Sequence, residues 1–460
     1  MLERKFERYL EDFLACEPRK ILLVNGARQI GKSYLIRYVG QRLFKHFVEI
    51  NLKSDQEGAQ VFASTKSKED FYLQLGAIAG NNLGDSSETL IFLDEIQSYP
   101  HLMTLLKFLN EDGKYRYIAS GSQLGVALSQ TPSVPLGSVA IQQMYPLDFE
   151  EFLWAVGCGK ETIAAMQQAF VVREGLSDSL HRFMLQQFKI YLLVGGMPEA
   201  INKFLENRNM AQVRGIQSDI HTLYGIDASQ YGDARKLVIR KVYDQIPSNM
   251  ENKKKRVVVK NIEGTAAHKQ FSDYAEEFEY LTNSGVALAV QAISNPVFPL
   301  IESENKNLLK LYLNDVGLLT SILYGTNINA VLNDERSVNL GSVYESVVAQ
   351  ELHAHGFSLH YYDNKQRGEV DYLIDDYKNL TVLPIEVKSG KDYTVHSALD
   401  RFVSTQEYHI REAVVLSNEQ RVYSKDGIVY MPIYYCMFFS NQPSNMDELI
   451  IPEIPFPQQV

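Results

Sequence analysis

Residues 21–33 read ILLVNGARQIGKS, an apolar run that breaks at Gly26 and leads into Gly31-Lys32-Ser33. The apolar run at 21–24 predicts a short strand that is buried on both faces. After Lys32, apolar residues recur at helical spacing, so a helix follows. The stretch 26–33 therefore lies in a strand-to-helix turn and matches G-x-x-x-x-G-K-[ST], the pattern of a phosphate-binding loop.

This loop predicts ATP and Mg²⁺ as cofactors. Its glycines let backbone N–H groups point at phosphate oxygens, and the helix N-terminus adds a partial positive charge. We expect Lys32, a catalytic candidate, to reach the β- and γ-phosphates, and the Ser33 hydroxyl to join the Mg²⁺ shell. An accidental match is the alternative, which the strand–loop–helix context disfavours. The predicted binding residues are Gly26, Ala27, Arg28, Gln29, Ile30, Gly31, Lys32 and Ser33.

Residues 89–97, TLIFLDEIQ, supply a second strand with two acids at its carboxyl end. Ligands of open α/β sheets bind outside the carboxyl ends of the strands, where the phosphate loop also lies. We expect Asp94 to hold Mg²⁺, directly or through water, and Glu95 to be the general base that deprotonates the attacking water. A surface acid pair that caps the next helix is the alternative.

A further strand, YRYIASGSQ at 115–123, places Ser120 and Ser122 just past its end. A hydroxyl at that position can sense the γ-phosphate, so we assign Ser120 to the nucleotide site. Hydroxyls in such turns also occur for purely local reasons.

The composition is that of an ordinary soluble globular protein, with 460 residues of which 45% are hydrophobic and 22% charged. Three distant cysteines without a C-x-x-C pair indicate a reducing compartment and no disulfide framework or structural zinc. No apolar stretch approaches the roughly 20 residues that span a bilayer. We therefore expect a cytoplasmic protein without a membrane partner. The net charge of −11 argues against indiscriminate nucleic-acid binding but leaves room for a local basic face.

The patterns predict four regions. Strands and helices alternate in 1–150, which would form the phosphate-loop domain, and 151–230 is helical and would form a lid. Two helices and a short strand in 231–305 predict a winged-helix-like unit. The last region, 306–460, predicts an α/β domain.

The only dense basic run is Lys253-Lys254-Lys255-Arg256. It predicts a loop that contacts nucleic-acid phosphates. A solvated loop before a strand is the alternative, and it is the more frequent role of such a run.

A second constellation of charges lies in the last third of the chain. Glu345 projects from a predicted helix, and three consecutive strands follow it. Because alternate residues of a strand share a face, Glu369 and Asp371 point the same way, and so do Glu386 and Lys388. Two carboxylates and a lysine at strand ends fit metal-assisted phosphodiester cleavage, with Asp371 and Glu386 holding Mg²⁺ and Lys388 orienting water. A solvated strand face with an ion pair is the alternative.

Eight motifs stand in order along the chain, namely GARQIGKS, LIFLDEIQ, YPLDFEEFL, YLLVGGMPEAI, LYLNDVGLL, YESVVAQEL, GEVDYLI and PIEVKSG. In their order and spacing, nearly the whole chain resembles the prokaryotic AAA-type ATPases that carry a C-terminal domain of unknown function. The resemblance implies an α/β P-loop NTPase domain with a strand added between the phosphate-loop strand and the acidic strand, and a catalytic Glu95. It also implies a C-terminal α/β domain similar to the PD-(D/E)XK nuclease core, in which Glu345, Asp371, Glu386 and Lys388 have resolvase-like spacing.

The chain departs from this family at two positions. Many relatives have Gly-Arg before the last ATPase strand, where this chain has Gly137-Ser138, so no arginine finger can be carried over. Val370 also stands where a proline commonly precedes the acid. Three arginines stay as unassigned finger candidates, namely Arg28, Arg116 and Arg182.

We therefore expect an ATP-binding and ATP-hydrolysing switch whose nuclease-like module acts on or near DNA or another nucleic acid, with a second copy of the chain as a candidate partner. The alternative is an ATP-gated protein-binding or regulatory protein with an inactive nuclease fold. For the C-terminal site we favour absence of catalysis, because a reused fold does not guarantee chemistry.

Overall fold

The computed structural model of the chain describes residues 1–16, 20–122, 124, 137–228, 235–251, 255–257, 262, 270–335, 338–390 and 392–441. Within these residues, no helix has both the length and the apolar character needed to cross a membrane.

The N-terminal domain is built on a five-stranded parallel sheet with strand order β2-β3-β4-β1-β5. The fourth strand lies between the phosphate-loop strand β1 and the acidic strand β3, which is the added strand that the resemblance implied. The strands are β1 (Ile21–Asn25), β2 (His46–Asn51), β3 (Thr89–Asp94), β4 (Arg116–Gly121) and β5 (Val139–Gln143). The helices are α1 (Lys5–Ala15), α2 (Lys32–Leu43), α3 (Leu52–Glu57), α4 (Lys68–Ala79) and α5 (Pro100–Asp112).

Strand β1 is buried on both faces, as its continuous apolar run predicted. Leu22 and Val24 point into the hydrophobic core on one side of the sheet, and Ile21 and Leu23 point into the core on the other side. This double burial holds the carboxyl end of the strand, and hence the following loop, in a fixed place.

Helices dominate the next region, and they pack against the first of these cores. The helix that begins at Asp178 ends abruptly at Gly195, whose φ of +72° favours glycine, and Pro198 starts the next helix. The helices are α6 (Phe149–Ala155), α7 (Lys160–Val171), α8 (Asp178–Val194), α9 (Pro198–Asn207), α10 (Met210–Ala228) and α11 (Lys236–Glu251).

The remaining residues build an eight-stranded mixed sheet with strand order β12-β13-β11-β10-β9-β8-β6-β7. Its strands are β6 (Ala287–Ile293), β7 (Glu304–Leu313), β8 (His360–Asn364), β9 (Gly368–Asp376), β10 (Thr381–Val387), β11 (Ala413–Ser417), β12 (Tyr423–Lys425) and β13 (Ile428–Pro432). The helices are α12 (Ala275–Asn283), α13 (Val316–Tyr324), α14 (Asn329–Leu332), α15 (Gly341–Ala354) and α16 (Ser397–Val403).

The expected domain boundary at residue 305 falls inside this sheet. Strand β6 pairs with β7 on one edge, and on the other edge its residues Gln291 and Ile293 pair with His360 and Tyr362 of β8. Because β6 carries ladder partners on both edges, it belongs to the C-terminal sheet and not to a separate winged-helix-like unit. The local pattern predicted the strand itself but gave no signal of its distant partner.

Candidate nucleotide-binding site

The loop between β1 and α2 has the backbone of a phosphate cradle. Gly26 has φ +153°, and a Cβ atom there would lie 2.4 Å from the carbonyl oxygen of Met144, so only glycine fits. Gly31 has φ +95° and caps the N-terminus of α2. Residues 26–33 thus curl around the helix N-terminus as the sequence pattern predicted.

Lys32 is held inside this loop. It is only 6% exposed, and its Nζ donates to the carbonyl oxygens of Gly26 at 2.8 Å and Ala27 at 2.7 Å. Burial lowers the pKa of Lys32 to about 8, although the nearby Glu95 and Asp94 carboxylates oppose this effect. The ammonium is therefore a buried charge at the mouth of the loop, which is the position that phosphate oxygens require.

Asp94 and Ser33 meet at the carboxyl end of β3. The Ser33 Oγ donates to the Asp94 carboxylate at 2.9 and 3.0 Å, and Ser120 Oγ donates to Oδ1 of the same group. Asn51 Nδ2 approaches it at 3.4 Å. Burial raises the pKa of Asp94. A hydroxyl and a carboxylate this close fit the oxygen shell of a single Mg²⁺ ion, and Ser120 is placed to orient the carboxylate.

Glu95 directly follows β3 and adopts a left-handed conformation with φ +57°. Its Oε2 accepts a hydrogen bond from Nε2 of Gln97, which also lies 3.4 Å from Ser122 Oγ. Arg28 Nε lies 3.4 Å from the same hydroxyl. Sequence reasoning did not assign Gln97, although its place two residues after the acid in LDEIQ was a signal for it.

Helix α10 reaches the loop through its last turn. Arg28 Nη1 forms an ion pair with Asp227, and the Tyr224 hydroxyl donates to the Arg28 carbonyl oxygen at 2.7 Å. Neither residue of α10 was predicted, because nearly two hundred residues separate them from the loop and neither belongs to a recognisable motif.

The N-terminal segment also contacts the loop, through Arg4. Arg4, 7% exposed, donates to the carbonyl oxygens of Ile30 at 3.1 Å and Tyr145 at 2.7 Å, and pairs with Glu151 at 3.1 Å. Beside Gly31 lies a cavity of about 760 Å³, large enough for a nucleobase and ribose. Its lining includes Leu2, Tyr34, Pro198, Glu199, Asn202 and Ile216.

Of the three finger candidates, only Arg28 lies at the loop. Arg116 starts β4, at the edge of the sheet opposite the phosphate loop, where its guanidinium donates to the Leu14 carbonyl oxygen. Arg182 is exposed on α8.

In the C-terminal module, the structure brings the predicted Glu345, Asp371, Glu386 and Lys388 together. Lys388 Nζ donates to Glu386 Oε1 at 2.7 Å, and Asp371 Oδ2 accepts the backbone N–H of Val387 at 2.9 Å. Burial, reinforced by the Asp371 charge, raises the pKa of Glu345 to about 7 and that of Glu386 to about 8.

Two further lysines enter this cluster, and sequence reasoning missed their role. Lys255 pairs with Glu345, and Lys310 of β7 pairs with Glu369. In the part of the chain that the structure describes, no group of three or more His, Cys, Asp or Glu side chains is arranged to hold a metal ion. From the predicted basic run, Lys253 and Lys254 lie outside the described residues, while Arg256 pairs with Asp363.

Comparisons with known proteins agree with the N-terminal geometry. Residues 18–153 match an AAA domain family, 185–329 match a domain of unknown function (DUF8612), and 340–436 match a second one (DUF4143). Together with the loop and the strand order, the first match supports an AAA-type P-loop ATPase domain. No curated protein matches the sequence.

Two solved structures illustrate the range of structural likeness. A Walker-type ATPase of Pyrococcus abyssi, PABY2304, has 15% identity and a TM-score of 0.42, with 70% of this chain and 96% of that chain covered. PCH-2 of C. elegans has 11% identity and a TM-score of 0.25, with 39% and 51% covered.

Proposed function

We propose that the protein hydrolyses ATP and works as a switch, with the C-terminal module as its output. The observation that carries this proposal is the convergence of Lys32, the Ser33–Asp94 pair and Glu95 at one edge of the parallel sheet. A buried ammonium, a Mg²⁺-type oxygen pair and a neighbouring carboxylate that Gln97 holds in place are the three parts that phosphoryl transfer to water needs.

Each residue has a defined task in this reaction. The backbone N–H groups of 26–33 and the Lys32 ammonium bind the phosphates and offset the charge that develops on them. Ser33 and Asp94 would hold Mg²⁺, which neutralises charge on the β- and γ-phosphate oxygens when bound. Glu95 accepts the proton of the attacking water, and Gln97 orients its carboxylate.

The contacts around the loop support a switch. Pro198 lies against the loop, since a Cβ at Gly31 would be 3.7 Å from its Cγ. Two residues earlier, the Gly196 N–H donates to Asp315 Oδ2 at 2.5 Å, and Asp315 caps helix α13. Pro198, Gly196 and Asp315 thus form a short path of contacts from the loop to helix α13, through which a change in the loop would reach the C-terminal module.

For the output, the pairing of carboxylates with lysines favours binding over cleavage, as in an ATP-gated regulatory protein with an inactive nuclease-like fold. A nucleic acid remains one candidate partner and a protein the other. Arg116 and Arg182 lie away from the phosphate loop, and Arg28 at the loop is paired with Asp227, so a finger arginine from a second copy of the chain would complete the site.

Glu95→Gln tests the enzymatic part. We expect ATP affinity to stay within about twofold while turnover falls by roughly 10²-fold or more, because the amide cannot accept the water proton. Steady-state phosphate release and nucleotide titration measure the two quantities. Glu57→Gln, an exposed glutamate of the same domain, is the matched control. Unchanged turnover in Glu95→Gln would remove the proposed base.

A further inference from the structure

The carboxylate cluster of the C-terminal module consists of Glu345, Glu369, Asp371 and Glu386, and lysines of the same chain pair with it. Three ammonium groups each pair with a different carboxylate, namely Lys255 with Glu345, Lys310 with Glu369 and Lys388 with Glu386. The fourth carboxylate, Asp371, accepts a backbone N–H. Four carboxyl groups thus face three ammonium groups, which offset the repulsion between the carboxylates without a divalent ion.

Lys310 is the most deeply placed of these cations. Its side chain has no exposed surface, and its Nζ lies 4.5 Å above the ring of Tyr361. A buried ammonium is tolerated only beside compensating charge, which Glu369 supplies directly. The Lys310 ammonium therefore lies among Glu369, Glu345 and Asp371, whose charges stabilise it.

Lys255 enters the cluster from a separate stretch of chain. The described residues 255–257 lie along β7, where the Val257 N–H donates to the Leu309 carbonyl oxygen at 3.0 Å. Arg256 pairs with Asp363. The side chains of Lys255 and Arg256 are 16% and 18% exposed, so both ion pairs are largely withdrawn from water. The segment is docked through two cations and one backbone hydrogen bond.

Metal binding at this cluster would compete with these ion pairs. Mg²⁺ demands near-octahedral oxygen coordination at about 2.1 Å, and the described side chains form no such group. The Oε1 atoms of Glu345 and Glu386 accept from lysines, while their Oε2 atoms are buried without a hydrogen-bond partner among the described atoms. The unpartnered oxygens retain affinity for a further positive charge if a lysine is removed.

We infer that this cluster is a receptor for lysine side chains, with residues 255–257 of the same chain as its bound ligand and Lys255 in the place that a divalent ion would take. The basic run and the carboxylate site each indicated nucleic-acid chemistry when taken alone. In the structure they bind each other, because Lys255 of the run pairs with Glu345 of the site. The site therefore holds a basic peptide segment and does not cut phosphodiesters.

Manganese binding by the full-length protein without ATP tests this inference. Wild type and Lys255→Arg should show no Asp371-dependent Mn²⁺ response in melting temperature or calorimetric titration. Lys255→Met removes the ammonium and keeps the alkyl chain, so millimolar Mn²⁺ should raise its melting temperature by at least about 2 °C. Adding Asp371→Asn to Lys255→Met should abolish that rise. Lys365→Met, an exposed lysine of the same module, should behave as wild type.

Two results would overturn the inference. The first is an Asp371-dependent Mn²⁺ response, or Asp371-dependent cleavage of plasmid DNA, in the wild type. The second is a folded Lys255→Met variant that gains no Mn²⁺ response, because Lys255 would then not occupy the cation position. If Lys255→Met does not fold, Lys255→Gln replaces it in the same comparison, with the circular-dichroism spectrum as the check on folding.

Discussion

The proposed nucleotide site and the C-terminal carboxylate cluster both lie at the edge of a sheet, where charged side chains converge. The sequence predicted the residues of the first more completely than those of the second. At the nucleotide site, one continuous loop supplies Lys32 and Ser33, and the strand motif supplies Asp94 and Glu95. In the cluster, the carboxylates were predicted but their counter-ions Lys255 and Lys310 were not. A charge cluster read from motifs alone is incomplete, because the opposite charges can come from any strand that the fold brings nearby.

The largest expected effect is on the free energy of unfolding, and it should come from replacing Lys310, a cation that no motif showed. Lys310→Met removes a fully buried ammonium and leaves the Glu369 carboxylate, whose side chain is 26% exposed, without its ion-pair partner. Breaking a buried ion pair typically costs about 3–5 kcal/mol, and the partial exposure of Glu369 places the expected loss at the lower end of that range. Urea unfolding of the C-terminal module measures the loss. Lys310→Met combined with Glu369→Gln should recover part of it, because the stranded charge is removed. A single variant as stable as wild type would contradict the account of Lys310 as the central cation.

The second prediction tests the region that the motif did describe. Lys32→Ala removes the charge that we propose faces the β- and γ-phosphates, and hydrogen bonds to charged groups are worth about 1.5–3 kcal/mol. We expect ATP affinity to fall by roughly 100-fold in a direct titration. Lys66→Ala, an exposed lysine of the same domain, is the control. Equal affinity for ATP in wild type and Lys32→Ala would show that ATP does not bind at this loop.

Local signals predicted most of the elements. The strand at Ile21–Asn25, the glycine loop and the three strands from His360 to Val387 were all visible as apolar runs or motifs. Long-range pairing was not visible. The strand at Ala287–Ile293 was predicted, but its register with His360–Asn364 depends on the tertiary fold and has no local signature. The same holds for Asp227 at the phosphate loop, since the ion pair joins residues far apart in sequence.

A third prediction concerns the joint between the two regions. Glu351 Oε1 accepts the Phe149 N–H at 2.8 Å, and burial raises the pKa of Glu351 to about 8. The native carboxyl thus keeps a proton that the unfolded chain releases near pH 4.5. Stability should therefore fall as pH rises from about 4.5 to about 8. The neighbouring His355, whose pKa is raised, acts in the same direction, while Asp148, whose pKa is lowered, acts at more acidic pH.

Glu351→Gln should flatten this dependence, because the amide oxygen still accepts the Phe149 N–H without ever ionising. We expect the melting temperature of wild type to drop by about 3 °C more than that of the variant between pH 6 and 8. Glu407→Gln, which changes an exposed carboxylate, should follow wild type. Parallel curves for wild type and Glu351→Gln would show that this carboxyl does not titrate in the joint.

The smallest expected effect concerns the ion pair between Asp227 and Arg28 of the phosphate loop, which the sequence did not predict. Asp227, 9% exposed, pairs with Arg28 in the loop that we propose binds the ATP phosphates, and so places a negative charge beside that loop. Asp227→Asn should remove that repulsion and release the guanidinium toward the nucleotide, so ATP should bind roughly fivefold tighter, a gain of about 1 kcal/mol. Asp219→Asn, an exposed acid on the same helix, should leave the affinity unchanged and controls for net charge. Weaker binding in Asp227→Asn would mean that the pair holds the loop in its binding shape. Asp227 of helix α10 would then be as necessary to the proposed nucleotide site as Lys310 is to the C-terminal cluster. Both regions would in that case depend on a charged residue that no motif shows.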